Sequence, residues 1–285
     1  MKKLLFQLDT DAHPAVFDTV VGYDGGADHV IGHGNCTPEN VKPLVEGAIF
    51  TRAPKDKKNT ALFVGGSDMV AGEKLFKAVQ KNFFADFRVS VMLDSNGSNT
   101  TAAAGVAKLL SSGTLSGKKA VVLAGTGPVG MRAAVMLARE GATVALTSRQ
   151  MAKAKKSCTD IKDSFGVDIE PVEAGDNDAR GKAIEGAQVV FATGAAGARL
   201  LEKSHWENND SIEMMADANA TPPLGIDGTE MLDKGKERNG KIIWGAIGFG
   251  TLKLELHRSC VAKLFDSNDQ LFDAEEIFAI AKTMA

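Results

Sequence analysis

The chain predicts an α/β protein of two domains around a cleft, the second built on a Rossmann-type doubly wound parallel sheet. Three observations carry that prediction. Short β-rich runs alternate with runs of helical apolar spacing along most of the length, the pattern of parallel sheets covered by helices. A glycine-rich turn, Gly125-Thr126-Gly127-Pro128-Val129-Gly130, lies between one such strand and one such helix, the context in which GxGxxG spacing has a physical meaning. A Ser/Gly segment, residues 111–117, separates that unit from everything before it. At 285 residues the chain is long enough for two modest domains.

Residues 4–8 read as a strand closed by Asp9 and Asp11, 14–20 as a short helix and 28–32 as a second strand. Residues 38–45 read as a helix with Thr37 as its N-cap. Residues 59–64 are strand-like, and 67–81 form a helix with an apolar stripe at Met69, Val70, Leu75 and Val79. A β-branched run follows at 89–93. Thr100 or Thr101 then opens an alanine-rich connector helix that runs to about Leu110 and flanks the cleft. The expected domains are 1–113, including the connector, and 114–268. Residues 269–285 hold a C-terminal helix (273–284) that packs back on the first domain.

The second domain opens with the apolar strand 120–124. Gly125 permits the tight turn, Gly127 lets a pyrophosphate approach the backbone, and Gly130 lets the next helix sit close to its strand. That helix carries apolar Ala133, Ala134, Leu137 and Ala138, and it aims its first N–H groups and positive dipole end at the phosphates. Strand 143–147 tells which dinucleotide. An NAD site places an Asp or Glu about 20 residues after the first glycines, but here Thr147-Ser148-Arg149-Gln150 stands there and no carboxylate follows until Asp160. A hydroxyl at Ser148 beside the Arg149 guanidinium suits a 2′-phosphate, because Arg offers a planar fork of charged donors. Lys153 adds charge. The expected cofactor is NADP. Later strands at 188–193, 211–216 and 241–244 end in small or polar residues that border the cofactor: Thr193, Gly194 and Ala195, then Asn219, then Gly248.

Composition narrows the function class. A formal charge of −3, with no basic stripe or aromatic platform, argues against nucleic acid. Cys36, Cys158 and Cys260 are scattered and lack metal-ligand spacing, which predicts buried thiols in a reducing cytosol and no metal. No signal peptide or membrane-length apolar span is visible. The only tyrosine, Tyr23, has no lysine four residues on, against a short-chain alcohol dehydrogenase.

Several blocks carry a resemblance: FDTVVGYDGGADH (17–29), VSVMLDSNGSNTTAAAGVA (89–107), KKAVVLAGTGPVGMR (118–132), DANATPPLGI (217–226), KGKERNGK (234–241) and LKLELHRSCVAKLF (252–265). Over nearly its full length the chain resembles the bacterial NADP-dependent methylene-tetrahydromethanopterin dehydrogenases of one-carbon oxidation, which also accept methylene-tetrahydrofolate. The resemblance implies a pterin substrate in the cleft and a homo-oligomer, a trimer in which a neighbouring subunit contributes to the cleft. It also implies active-site roles for Phe17, Thr101, Lys253 and His257. Read as residues, Phe17 offers an aromatic face to a flat pterin or fills a core. Thr101 caps the connector helix or bonds a ligand. Lys253 and His257, spaced i,i+4, share one helical face.

Methylene-to-methenyl oxidation removes a hydride from a carbon between two nitrogens and moves no proton, so no general acid or base is assigned. Lys253 is expected to bind a polar pterin edge with His257 assisting, and Asp9, Asp11, Asp24 and Asp94 are alternatives for the amino-pyrimidinone edge. The competing readings are an NADP-dependent dehydrogenase of shikimate or folate type, a methenyl cyclohydrolase, and a non-catalytic NADP-binding regulator.

Overall fold

In the computed structural model, which describes residues 1–285, twelve strands form two separate sheets. The chain begins β1 (Leu4–Asp9), α1 (Val16–Asp24), β2 (His29–His33), α2 (Lys42–Phe50), β3 (Thr60–Gly65), α3 (Met69–Lys81) and β4 (Ser90–Leu93). It continues α4 (Ser98–Ser112), β5 (Lys119–Leu123), α5 (Pro128–Arg139), β6 (Thr143–Ser148), α6 (Met151–Phe165), β7 (Glu170–Glu173) and α7 (Asn177–Ala183). Then come β8 (Val189–Ala192), β9 (Met214–Asp217), β10 (Lys234–Arg238), β11 (Lys241–Trp244), α8 (Ala246–Lys263), β12 (Leu271–Phe272) and α9 (Ala274–Met284). By packing, one unit comprises Met1–Thr100 with Leu254–Ile280 and Met284. The other comprises Thr101–Lys253 with Ala281–Thr283 and Ala285. The connector helix α4 thus lies almost wholly in the second unit, and most of α9 in the first.

The first sheet has the order β12-β4-β3-β1-β2 and is parallel throughout. Strands β3 and β4 are buried at every residue, so after Thr60 and Ser90 they read as continuous apolar runs rather than alternations. Leu8, Leu62, Val64 and Leu93 pack against Val45 and Ile49 of α2 and Leu75 and Val79 of α3. Strand order reverses between β1 and β3. In an open α/β sheet, the crevice outside the carboxyl ends at such a switch receives the ligand.

The second sheet runs β10-β11-β9-β8-β5-β6-β7, parallel except for the β10–β11 hairpin. Without β10 this is the Rossmann order, with its switch between β5 and β8. Val121, Leu123, Val190, Met215 and Ile243 form one face of the sheet's core, over which Trp206 is fully buried. The Trp206 indole donates to the carbonyl of Asp227 at 2.9 Å.

Several elements depart from the sequence expectation. Helix α2 starts at Lys42, with Pro43 in its first turn and no side-chain cap. Thr37 instead accepts from the Glu39 amide at 3.3 Å in a preceding turn. Pro43 rather than Pro38 therefore occupies the helix-opening position that proline favours. Helix α4 starts at Ser98, and its cap is neither threonine. Asp94 accepts from the amides of Asn99 (2.8 Å) and Thr100 (3.0 Å) and from the Thr100 hydroxyl (2.6 Å). Strands β7 and β10 and helix α7 were not expected, because their sequences are short and mostly polar, and β12 was not, because it is only two residues long.

Candidate functional site

The glycine turn between β5 and α5 divides its labour differently from the sequence expectation. The left-handed residue is Ala124, at φ +52°, and not Gly125. Ala124 is held there by its amide donating to Thr147 Oγ1 at 2.9 Å, while the Gly125 amide donates to the Thr147 carbonyl at 3.0 Å. Such a conformation costs a non-glycine residue about 1–2 kcal/mol, so the neighbouring strand fixes the bend. Gly125 is required for packing instead: a Cβ there would lie 2.8 Å from Leu146 Cγ and 2.9 Å from Val122 Cγ1. Gly130 is required for close approach, because its Cβ would meet Gly125 Cα at 2.5 Å and Thr193 Oγ1 at 2.6 Å. Above Gly127 no atom lies within 4 Å of where a Cβ would be. Gly127 is the N-cap residue of α5 and Pro128 follows in the first turn, leaving Thr126 and Val129 beside an open helix N-terminus. That end is built to receive an anion.

A pocket of about 240 Å³ adjoins the turn, lined by Ala124, Thr147, Ser148, Arg149, Ala174, Arg180, Gly194, Ala195, Ala198, Arg199 and Leu200. Its lining holds three guanidinium groups and no carboxylate. Arg199 is paired with Asp227 at 3.3 Å. Arg180 donates to the carbonyls of Leu200 (3.2 Å) and Gly175 (3.1 Å). Arg149 is exposed and follows the buried Ser148, whose Oγ accepts from the Gln150 amide at 3.4 Å. The room above Gly127, the helix end and this cationic pocket fit a dinucleotide that carries an extra phosphate.

Other expected cofactor residues fall outside the pocket. Lys153 is exposed in the first turn of α6. Thr193 donates its hydroxyl to the Leu123 carbonyl at 3.1 Å. Asn219 is buried and ties two loops together, accepting from the amides of Gly197 (3.3 Å) and Thr221 (2.9 Å) and donating to the Pro223 carbonyl (3.0 Å). Gly248 owes its lack of a side chain to packing, since a Cβ would sit 1.8 Å from the Asp233 carbonyl oxygen. Asp233 in turn holds Arg238 of the β10 hairpin through two bonds of 2.7 Å. Arg180 and Arg199 were missed by sequence reasoning. The one signal for them is topological, because the loops after β7 and β8 end beside the carboxyl edge of β6.

In the first unit, buried polar groups gather at the switch between β1 and β3. Asp9 accepts from the amides of Asp11 (2.9 Å) and Ala15 (3.0 Å), winding the loop after β1 around its carboxylate. Asp11 accepts from the amide (3.0 Å) and hydroxyl (2.9 Å) of Ser67, joining that loop to the one after β3. Asp24 stands at the far end of α1, which runs back from this edge, and pairs with Arg258 at 2.8 Å. Asp24 is therefore removed from the acids that face the switch. His257 of α8 is fully buried, whereas Lys253, one turn earlier on the same helix, is half-buried. Its Nδ1 lies 3.8 Å from Asp94 Oδ2. Its ring stacks on Phe63 (centroids 5.4 Å, 23°) and lies 6.2 Å from the ring of Phe17. Phe17, at the start of α1, remains 49% exposed. Thr101 is half-buried in the first turn of α4.

Fold and site together define a two-unit α/β protein whose second unit is built to bind a dinucleotide. The chain belongs to the methylene-tetrahydromethanopterin dehydrogenase family. The family's N-terminal model matches residues 16–96. The chain is 58% identical over 286 residues to the bifunctional protein MdtA of Methylorubrum extorquens, covering 100% of this chain and 99% of that one. It is 29% identical over 294 residues to an NAD(P)-dependent methylenetetrahydromethanopterin dehydrogenase of the same organism, with the same coverage. Among solved structures it is similar to a 5-ketofructose reductase of a Gluconobacter strain (TM-score 0.53, 14% identity, 100% of this chain and 99% of that chain). It is also similar to a shikimate 5-dehydrogenase of Mycobacterium fortuitum (TM-score 0.52, 16% identity, 99% and 98%). At such identities the likeness is one of fold.

Two glycine variants separate packing from ligand approach. Gly130→Ala is expected to lose about 1–3 kcal/mol of stability in urea unfolding, because the new methyl meets backbone. Gly127→Ala is expected to stay within about 1 kcal/mol of the parent while dinucleotide affinity, followed by calorimetry, falls at least about tenfold, the loss of a charge-assisted contact. Unchanged affinity in Gly127→Ala would contradict the placement of a pyrophosphate there.

Proposed function

We propose that this chain is an NADP-dependent methylene-tetrahydromethanopterin dehydrogenase that also accepts methylene-tetrahydrofolate. It oxidises the methylene carrier reversibly to the methenyl form in formaldehyde oxidation. The observation that carries the reading is the carboxylate-free pocket at the end of β6, in a chain of this family. A carboxylate there would hold the free ribose hydroxyls of NAD, whereas Ser148 and Arg149 offer a hydroxyl and a guanidinium to a 2′-phosphate. The α5 N-terminus, with Gly125 to Gly130, would hold the pyrophosphate. Gly194 and Ala195 line the pocket beyond it.

Bound NADP supplies the hydride acceptor. The chain's own residues then have to hold the carrier and exclude water. The substrate carbon lies between two nitrogens whose lone pairs stabilise the cation left behind, so no side chain has to move a proton. Phe17 presents its exposed ring to the flat pterin, and the buried His257, backed by Phe63, fixes that ring's position. His257 is on this reading a positioning residue. Lys253 and the Thr101 hydroxyl bind polar edges of the carrier. Lys253 beside the developing cation would oppose the reaction, so its ammonium belongs at the pterin's periphery.

The protein is further read as a cytoplasmic homo-oligomer, a trimer. Support comes from an exposed apolar stripe on α1, Val16, Val20 and Tyr23 at i, i+4 and i+7, and from three buried free cysteines. No helix is long and apolar enough to cross a membrane. Sedimentation of a single species at three chain masses is expected, and a monomer at all concentrations would remove this reading.

Turnover is tested by absorbance with NADP and methylene-tetrahydromethanopterin, methylene-tetrahydrofolate or shikimate. The two methylene carriers are expected to be oxidised with a solvent isotope effect near unity, and shikimate not at all. NADP binding without turnover of either carrier would instead indicate a regulator. Arg149→Ala is expected to raise KM for NADP by about 10- to 100-fold, the loss of a charge-assisted contact, with little change for NAD. Equal losses for both dinucleotides would show that Arg149 does not read the extra phosphate.

A further inference from the structure

Arg180 belongs to α7, a short polar helix after the third strand of the nucleotide-binding half, where no sequence signature points. Its side chain reaches the pocket that Arg149 lines. Its two bonds, to the carbonyls of Gly175 and Leu200, tie together the loops after β7 and β8, which form two walls of that pocket. A guanidinium has five N–H donors, so these two bonds engage less than half of it.

The acids of the neighbourhood are committed elsewhere. Asp176 caps α7 by accepting from the Ala179 amide at 2.8 Å. Glu173 accepts from the Met151 amide at 2.9 Å, at the start of α6. Asp227 holds Arg199. Burial lowers the affinity of Arg180 for its proton; Asp176, one turn earlier, works against this and Arg149 reinforces it. Two like charges therefore share one partly enclosed pocket whose lining has no carboxylate. Like charges in a desolvated site disfavour one another, and an anion between them reverses the sign of that interaction.

We propose that Arg180 is a specificity-determining residue for the 2′-phosphate of NADP, gripping it together with Arg149. This rests on the NADP reading above. It extends that reading from one loop residue to a two-arginine site, in which the second arginine also clamps the pocket walls. Sequence patterns that inspect only the residues after β6 would miss it.

The test is calorimetric and needs no turnover: binding of 2′,5′-ADP and of 5′-ADP to the full chain and to Arg180→Met, Arg180→Lys and Arg149→Ala. Arg180→Met is expected to lose about 10- to 100-fold in affinity for 2′,5′-ADP, as for a charge-assisted contact, and less than about threefold for 5′-ADP. Arg180→Lys keeps the charge without the fork and is expected to fall between. If the methionine variant does not fold, the lysine variant carries the comparison, with a selective loss of about fivefold or more supporting the proposal. Equal losses of both ligands would reduce Arg180 to a loop clamp, and an undiminished 2′-phosphate preference would remove it from the site. If the parent protein itself binds the two ligands equally, the NADP reading fails, and this proposal with it.

Discussion

The contact on which the second unit depends is the approach of α5 to the end of β5, where Gly130 lies against Gly125 with no side chain between them. A methyl group on Gly130 would come within 2.5 Å of backbone, so the helix could not keep its place. The bend that starts this turn is made by Ala124 in a left-handed conformation, which holds because Thr147 bonds it from the neighbouring strand. Thr147 directly precedes Ser148 and Arg149. The bonds that set the glycine turn therefore also set the register of the residues facing the arginine-lined pocket. One packing constraint thus reaches both ends of the proposed adenosine site.

The first unit is organised around buried carboxylates rather than glycines. Asp9 ends β1 and Asp94 follows β4 of the same sheet, and each carboxylate accepts from amides of the segment that follows, with the second oxygen of Asp94 taking the Thr100 hydroxyl. Buried acids are tolerated when hydrogen bonds of this kind satisfy them. The result is a rigid carboxyl edge, onto which α8 brings the His257 ring between Phe63 and Phe17. Phe17 can then be half exposed without being loose, because a buried ring stands behind it. That combination is what a flat, partly polar ligand needs from an aromatic platform.

Much of this was legible in the chain itself. The strand–turn–helix around Gly125 to Gly130, the largely apolar β3, and the alternation that yields two sheets follow from periodicity and glycine spacing. Ser148 and Arg149 could be singled out because the rule for the second strand of a nucleotide-binding half concerns a fixed distance along the sequence, and both line the pocket at the end of β6. Arg180 was invisible for the opposite reason. It reaches the same pocket from a polar helix that has no apolar stripe, and only the sheet order brings it there. The burial of His257 was not legible, because i,i+4 spacing with Lys253 says which residues share a side of a helix, not whether that side faces a core. Gly248 and Asn219 illustrate a third limit, since a glycine or asparagine at a strand end serves backbone packing as readily as a ligand.

Hydride removal from a carbon flanked by nitrogens asks little acid–base chemistry of a protein and much positional accuracy. That demand is consistent with a chain whose conspicuous features are steric and electrostatic rather than nucleophilic. The most direct measurement is a crystal structure of the chain with NADP bound. The pyrophosphate is expected over Gly127 at the N-terminus of α5, and the 2′-phosphate within hydrogen-bond distance of Arg149. Adenosine bound away from the end of β6, or a 2′-phosphate turned to solvent, would contradict that placement.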